Sequence, residues 1–139
     1  MQKATPITPD TIYREDCLVT LSRMPDNYLD LTVTSPPYNL GIPYDSYSDS
    51  RPYLEYFAWV ETWLRELYRV TKSDGRVCIN HYLSLSMRGI RCSPVAKIIT
   101  LAEQIGFKYH GLSVWTDKTM SKLTAWGSWL SASAPYINT

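Results

Sequence analysis

Residues 33–41, VTSPPYNLG, end a hydrophobic run with two prolines, an aromatic ring and a glycine. Pro36 and Pro37 lack N–H donors and hold φ at about −65°, so the carbonyls of Ser35 and Pro36 are free to face a ligand instead of a ladder. The Ser35 hydroxyl adds a further acceptor, and Tyr38 offers a flat face for stacking. Together these groups suit an –NH2 group carried on a planar ring. A Pro-Pro pair is also an ordinary way to stop a strand, and the turn's composition alone leaves both uses open.

To act on a ligand, the turn must stand at the carboxyl end of a strand, where open parallel sheets place their binding crevices. Leu29–Thr34 supplies that strand. Ahead of it, residues 1–10 read as a tail, Thr11–Arg14 as a short strand, and Cys17–Met24 as a helix closed by Pro25-Asp26-Asn27. After it, residues 41–52 have loop composition and read as a mobile segment able to serve as a lid. From Pro52 a long helix is predicted, with Leu54, Phe57, Glu61, Leu64, Leu67 and Tyr68 at three- and four-residue spacing. Thr71–Gly75 reads as a turn with Gly75 where a positive φ is accepted, and Arg76–Asn80 as a buried strand. Residues 81–92 favour no element. Ser93-Pro94 is an N-cap followed by proline at the first helical position, opening a helix that runs to Gly106. Tyr109–Trp115 reads as a further strand, and the Ser-, Trp- and Ala-rich remainder shows no period. Strands alternating with helices imply an α/β fold with a mostly parallel sheet.

Composition narrows the class. With Lys+Arg 14 against Asp+Glu 13, any nucleic-acid footprint must be a local patch. Cys17, Cys78 and Cys92 are odd in number and lack C-x-x-C spacing, which argues against a disulfide framework and a zinc site, and no metal is expected. Cys78 and Cys92 read as buried filler. The first ten residues lack an apolar signal core, and no apolar run approaches the roughly 18 residues of a membrane span, so a cytoplasmic protein is expected.

The turn and its flanks resemble the DNA amino-methyltransferase family. T-S-P-P-Y-N-L-G is similar to that family's catalytic motif. Ile12 to Leu18, followed by Met24-Pro25-Asp26, resembles its lead-in, and Glu66-Leu67-Tyr68-Arg69-Val70 with Asp74-Gly75-Arg76 resembles its helix-to-strand junction. Val114-Trp115-Thr116-Asp117-Lys118 and residues 125–135, AWGSWLSASAP, look like its W-x-K and WGSW segments.

The resemblance implies a Rossmann-like methyltransferase sheet and transfer of a methyl from S-adenosylmethionine to an exocyclic amine of a base in double-stranded DNA. Ser35 and the Pro36 carbonyl would accept the amine protons, Pro37 would stiffen the turn, and Tyr38 would stack on a flipped-out base, whose chemistry cannot be reached inside the duplex. Asp16 and Cys17 would lie at the cofactor, although Asp16 also suits a helix N-terminus. Asn39 would either touch the cofactor or tie the turn. His81 could face the pocket or be structural. Lys118, Trp126 and Ser128 would meet DNA, with core packing the alternative for the tryptophan, and Arg88 and Arg91 suit either phosphates or plain surface. Serine at the head of the motif points to the 4-amino group of cytosine. The alternatives are the 6-amino group of adenine, a related amide or guanine methyltransferase, and a non-catalytic half that binds DNA or a partner. The sequence departs from the family in one respect: none of its 6 glycines forms the F-x-G-x-G turn that holds the cofactor's methionine part. Residues 11–139 are therefore expected to be the catalytic half of a split or longer enzyme, of the restriction-modification kind, that pairs with a complementary chain or with itself.

Overall fold

A computed structural model describes residues 6–44 and 47–115. The chain divides into two units, Met1–Tyr109 and His110–Thr139. In the second, residues 110–115 are described and adopt neither helix nor strand. The strand expected over 109–115 is therefore absent: an extended segment becomes a strand only by pairing, and these residues have no ladder partner among the described ones.

The first unit holds α1 (Cys17–Ser22), β1 (Leu29–Thr34), α2 (Tyr53–Val70), β2 (Thr71–Ile79), β3 (Leu85–Met87), β4 (Ile90–Cys92) and α3 (Pro94–Ile105). β1 and β2 run parallel, and β3 and β4 form an antiparallel hairpin. The α/β, parallel reading is thus borne out in coarse form. Thr11–Arg14 does not form a strand. Ile12 is 96% exposed there, and the Tyr13 hydroxyl instead closes a local loop on the Thr8 backbone. Among the described residues no helix is long and apolar enough to cross a membrane.

The core is built on α2, whose Tyr56, Phe57, Val60, Trp63, Leu64, Leu67 and Val70 are buried at helical spacing. This stripe is rotated from the expected one. Leu54 lies 79% exposed, because the larger aromatic surfaces of Tyr56 and Trp63 take the inward positions. Against α2 pack α1, α3 and one face of the sheet. As expected, α3 opens with the Ser93 hydroxyl accepting from Ala96 N–H and ends at Gly106, whose φ of 127° suits glycine. Residues 85–92, ambiguous in sequence, form the hairpin through Arg88 and Gly89, both at positive φ.

The turn expected at Thr71–Gly75 is absorbed into β2. Leu29 pairs with Thr71 and Leu31 with Arg76, so five steps of β2 match two of β1 and the Lys-Ser-Asp-Gly composition appears as a bulge. Gly75 is not at positive φ; it is required for close approach. A Cβ there would lie 2.7 Å from Thr71 Cγ2 and 3.0 Å from the Leu29 carbonyl.

Arg69, near the end of α2, sets the height of β1. Its guanidinium donates to the carbonyls of Leu21 and Met24, both at 2.8 Å, and pairs with Asp26 at 2.7 Å and Glu66 at 2.8 Å. The α2 terminus also accepts from Asn27 and Tyr28 N–H, which fixes the entry into β1. Arg69→Leu should lower folding stability by about 2 kcal/mol, the exposed half of the cluster contributing little. A urea titration showing a loss below about 0.5 kcal/mol would remove Arg69 from this role.

Candidate active site

The SPPY turn leaves the carboxyl end of β1 beside the carboxyl end of β2. Thr34 pairs with Ile79, and the Asn80 N–H donates to the Thr34 carbonyl at 2.9 Å, extending the ladder by one residue. That register brings Asn80 next to the turn. Its amide donates to the Tyr38 hydroxyl at 2.8 Å and to Ser35 Oγ at 3.4 Å, while Ser35 Oγ and the Tyr38 hydroxyl hydrogen-bond each other. Ser35 is exposed, Pro36 is buried beneath it, and Pro37 and Tyr38 are half-buried. The Tyr38 ring meets His81 and Tyr82 in edge contacts, with centroids 4.7 and 5.0 Å apart. From α2, the Tyr56 hydroxyl donates to the Pro37 carbonyl at 2.8 Å and meets His81 Nε2 at 2.9 Å. Asn80, Tyr56 and Tyr82 were missed in the sequence, although the parallel register of Asn80 with the turn was a usable signal.

A second network holds the turn from the other side. Asn39 (φ 63°) and Gly41 (φ 79°) reverse the chain. Asp49, 3% exposed, accepts from the N–H groups of Asn39, Leu40 and Ile42. The Asn39 amide exchanges two hydrogen bonds with the Arg51 backbone, at 2.7 and 2.8 Å. This is the turn-tying arrangement. The Arg51 guanidinium lies over the rings of Tyr47 and Trp59, and Arg88 donates to the Ser50 carbonyl at 2.6 Å. The described part of the 41–52 loop is consequently pinned and is not the free lid its composition suggested; a buried carboxylate, invisible to periodicity, does the pinning.

On the helix-covered side, a cavity of about 450 Å³ runs between the Ser35–Pro37 turn and the start of α1, walled by Tyr13, Cys17, Thr20 and Trp59. Its size falls in the range of about 300–1,000 Å³ typical of small-molecule sites. Two further lining residues, Thr32 and Trp63, carry buried polar atoms without a hydrogen-bond partner among the described residues. Asp16 caps α1, its Oδ1 accepting from Leu18 N–H at 2.8 Å, and Glu15 and Cys17 on either side of it line the cavity. Partial burial of the thiol, and next the Asp16 charge, push Cys17 up from the ordinary thiol range. Cys78 is exposed, contrary to the buried-filler expectation, because it alternates outward on β2, whereas Cys92 packs against the core. An apolar chamber with unused polar atoms, opening beside an acceptor-bearing turn, fits an adenosyl cofactor.

Burial holds His81 below the ordinary imidazole range, with the Tyr82 backbone opposing. An imidazole of depressed pKa protonates first in the unfolded chain, so its contribution is present above about pH 6.5 and lost as pH falls through that value toward the folded pKa. His81→Gln should flatten the fall of stability below about pH 6.5 relative to wild type, as read by thermal melting. An unchanged slope would contradict the buried neutral ring.

Lys118, Trp126 and Ser128 lie outside the described residues. Among the described residues no cluster of three or more His, Cys, Asp or Glu is placed to hold a metal ion.

The sequence was compared with known families and proteins. Residues 29–138 match the family model for N6/N4 methyltransferases, described as DNA methylase. Type II methyltransferase M.MjaVI of Methanocaldococcus jannaschii is 45% identical over 115 residues, covering 82% of this chain and 58% of that protein. M.ScaI of Streptomyces caespitosus is 41% identical over 69 residues, 50% of this chain and 22% of that protein. The DNA adenine methyltransferase YhdJ of Escherichia coli is 27% identical over 109 residues, 78% of this chain and 36% of that protein. The chain thus spans less than two thirds of the length of each of these relatives. A family match over most of the chain, with the SPPY turn of β1 inside it, places this protein in the N6/N4 DNA methylase family.

Proposed function

We propose that this chain carries the catalytic half of an S-adenosylmethionine-dependent DNA methyltransferase acting on the 4-amino group of cytosine. The observation that carries the reading is the exposed Ser35 hydroxyl beside a proline pair at the carboxyl end of β1, with Tyr38 and Asn80 in hydrogen-bond contact. An aromatic amine is a weak nucleophile because its lone pair is delocalised into the ring. Ser35 Oγ and the Pro36 carbonyl, by accepting hydrogen bonds from its two N–H groups, draw the nitrogen toward tetrahedral geometry and localise that pair, and one of these protons leaves during or after methyl transfer. Ser35 acts as an acceptor and orienter, not as an ionised base. Tyr38 stacks on the extruded base and offsets an unstacking cost of a few kcal/mol. S-adenosylmethionine, when bound, supplies the electrophilic methyl group. Cys17 and the Ser35–Pro37 wall would hold it in the chamber, with Asp16 at the rim and Asn39 fixing the turn.

The 6-amino group of adenine is the second reading, favoured by the similarity to YhdJ, named as an adenine methyltransferase. The outward face of the sheet supports a Rossmann-like fold completed by further chain: Leu31 and Val33 are 57% and 73% exposed there, side by side with Cys78. Doubly wound sheets cover both faces. A complementary chain, or a second copy, would cover this face, and the site would then work on duplex DNA in the cytoplasm, within a restriction-modification system. Incubation with labelled cofactor and DNA, followed by nucleoside analysis, tests the reading. Label in 4-methylcytosine is the expected result, label in 6-methyladenine moves the assignment to the second reading, and label in neither, with a complementing half present, overturns both.

A further inference from the structure

Resting on the methyltransferase reading, the geometry points to His81 as a positioning residue that fixes the catalytic turn through Tyr56. Pro36 and Pro37 have no N–H, so the turn cannot be held through its own amides at these two positions. The handle left is a carbonyl, and the Tyr56 hydroxyl takes that of Pro37 at 2.8 Å. A phenol has one proton, and a carbonyl can only accept. With that proton spent on Pro37, the 2.9 Å contact between Tyr56 and His81 requires the imidazole Nε2–H to donate to the phenol oxygen. His81 is thereby assigned the Nε2–H tautomer, leaving Nδ1 a buried acceptor with no hydrogen-bond partner among the described residues. The Tyr56 ring is fully buried on α2 and so is a rigid post. His81 is also in edge contact with Tyr38, so one ring touches both the brace of the Pro37 carbonyl and the stacking aromatic. Charge is not required, since the neutral tautomer donates. The two rings in contact with His81, those of Tyr38 and Tyr56, are phenols.

If this chain of bonds orients the turn, its loss should slow chemistry and spare DNA binding. In the intact enzyme containing this chain, His81→Leu and Tyr56→Phe should each lower kcat about 10- to 100-fold, the range for residues that orient a catalytic ligand, with KM for DNA changed less than about threefold. The double variant should be no worse than the poorer single, because both act through the Pro37 carbonyl. His81→Gln, whose amide can donate from nearly the Nε2 position, should recover most of the lost rate. Multiplying losses, or a His81→Leu rate equal to wild type while Ser35→Ala is inactive, overturns the positioning role. If Ser35→Ala is itself silent, the methyltransferase reading falls and takes this inference with it. Nitrogen-resolved NMR of the folded wild-type chain gives a readout that needs no variant to fold. The Nε2–H tautomer is expected, and the Nδ1–H tautomer overturns the inference.

Discussion

Ser35→Ala should lower single-turnover methyl transfer by about 100- to 1,000-fold, the loss that follows removal of one preorganised hydrogen-bond partner of a reacting group. Folding stability should change by no more than about 1 kcal/mol, because Ser35 is exposed and its hydrogen bonds are of the replaceable kind. The two effects separate because the neighbours do not depend on the serine: Asn80 still donates to the Tyr38 hydroxyl at 2.8 Å, so the turn keeps its tie to β2. Rapid-quench transfer of a labelled methyl, alongside a thermal melt, reads both quantities. A rate within about threefold of wild type would remove Ser35 from the chemistry, and a large drop in melting temperature would recast it as structural. Tyr38→Ala is a less clean probe, since that ring also packs on His81 and Tyr82.

How much of this was legible in the sequence differs by the kind of signal. β1, α2 and α3 were read close to their observed bounds because each carries its own local code: a short apolar run stopped by prolines, a long stripe at helical spacing, a Ser-Pro cap and a terminal glycine. The failures share a cause. Thr11–Arg14 and Tyr109–Trp115 have strand composition, yet a strand is a relation between two segments, and composition cannot say whether a neighbour is present. Residues 71–75 failed in the opposite sense. Their turn composition is real, but parallel pairing on either side carries it as a bulge within β2.

At the site, the residues of the turn itself were legible and their supports were not. Ser35, Pro36, Pro37 and Tyr38 are contiguous, and their combined acceptors and flat ring suggest a use. Asn80, Tyr56 and Asp49 reach the turn from 42, 19 and 10 residues away along the chain, and no local pattern marks them. Asp49 sits among Tyr, Ser and Asp residues that look like solvated loop, and only its burial, 3% exposed, marks it out. Arg88 shows the same limit: its charge suited either phosphates or plain surface, and no local pattern marked the bond its guanidinium makes to the Ser50 carbonyl.

Asp49→Ala should be the most destabilising single change near the site. Its carboxylate accepts from Asn39 N–H at 2.8 Å and from Leu40 and Ile42 N–H at 3.0 Å, and its own carbonyl accepts from Gly41 N–H at 2.7 Å. Alanine keeps the last of these and orphans three donors. Fully buried, each would cost about 1–3 kcal/mol, but Leu40 and Ile42 are exposed enough for water to replace part of the loss, so about 3 kcal/mol in total is expected. Asp49→Asn should fall between, because its one carbonyl oxygen can serve some of the three N–H groups while its NH2 opposes the rest. Denaturant titrations of the three proteins give the order, and hydrogen exchange at Leu40 and Ile42 localises the effect. Equal stability of wild type and Asp49→Ala would mean that the positive-φ pair, Asn39 and Gly41, holds the turn unaided. The expected ordering would instead show that Asp49 braces the SPPY turn on its loop flank, opposite the Tyr56 hydroxyl that bonds the Pro37 carbonyl on its helix flank. In that arrangement Ser35 can be exposed to substrate and still be fixed in place.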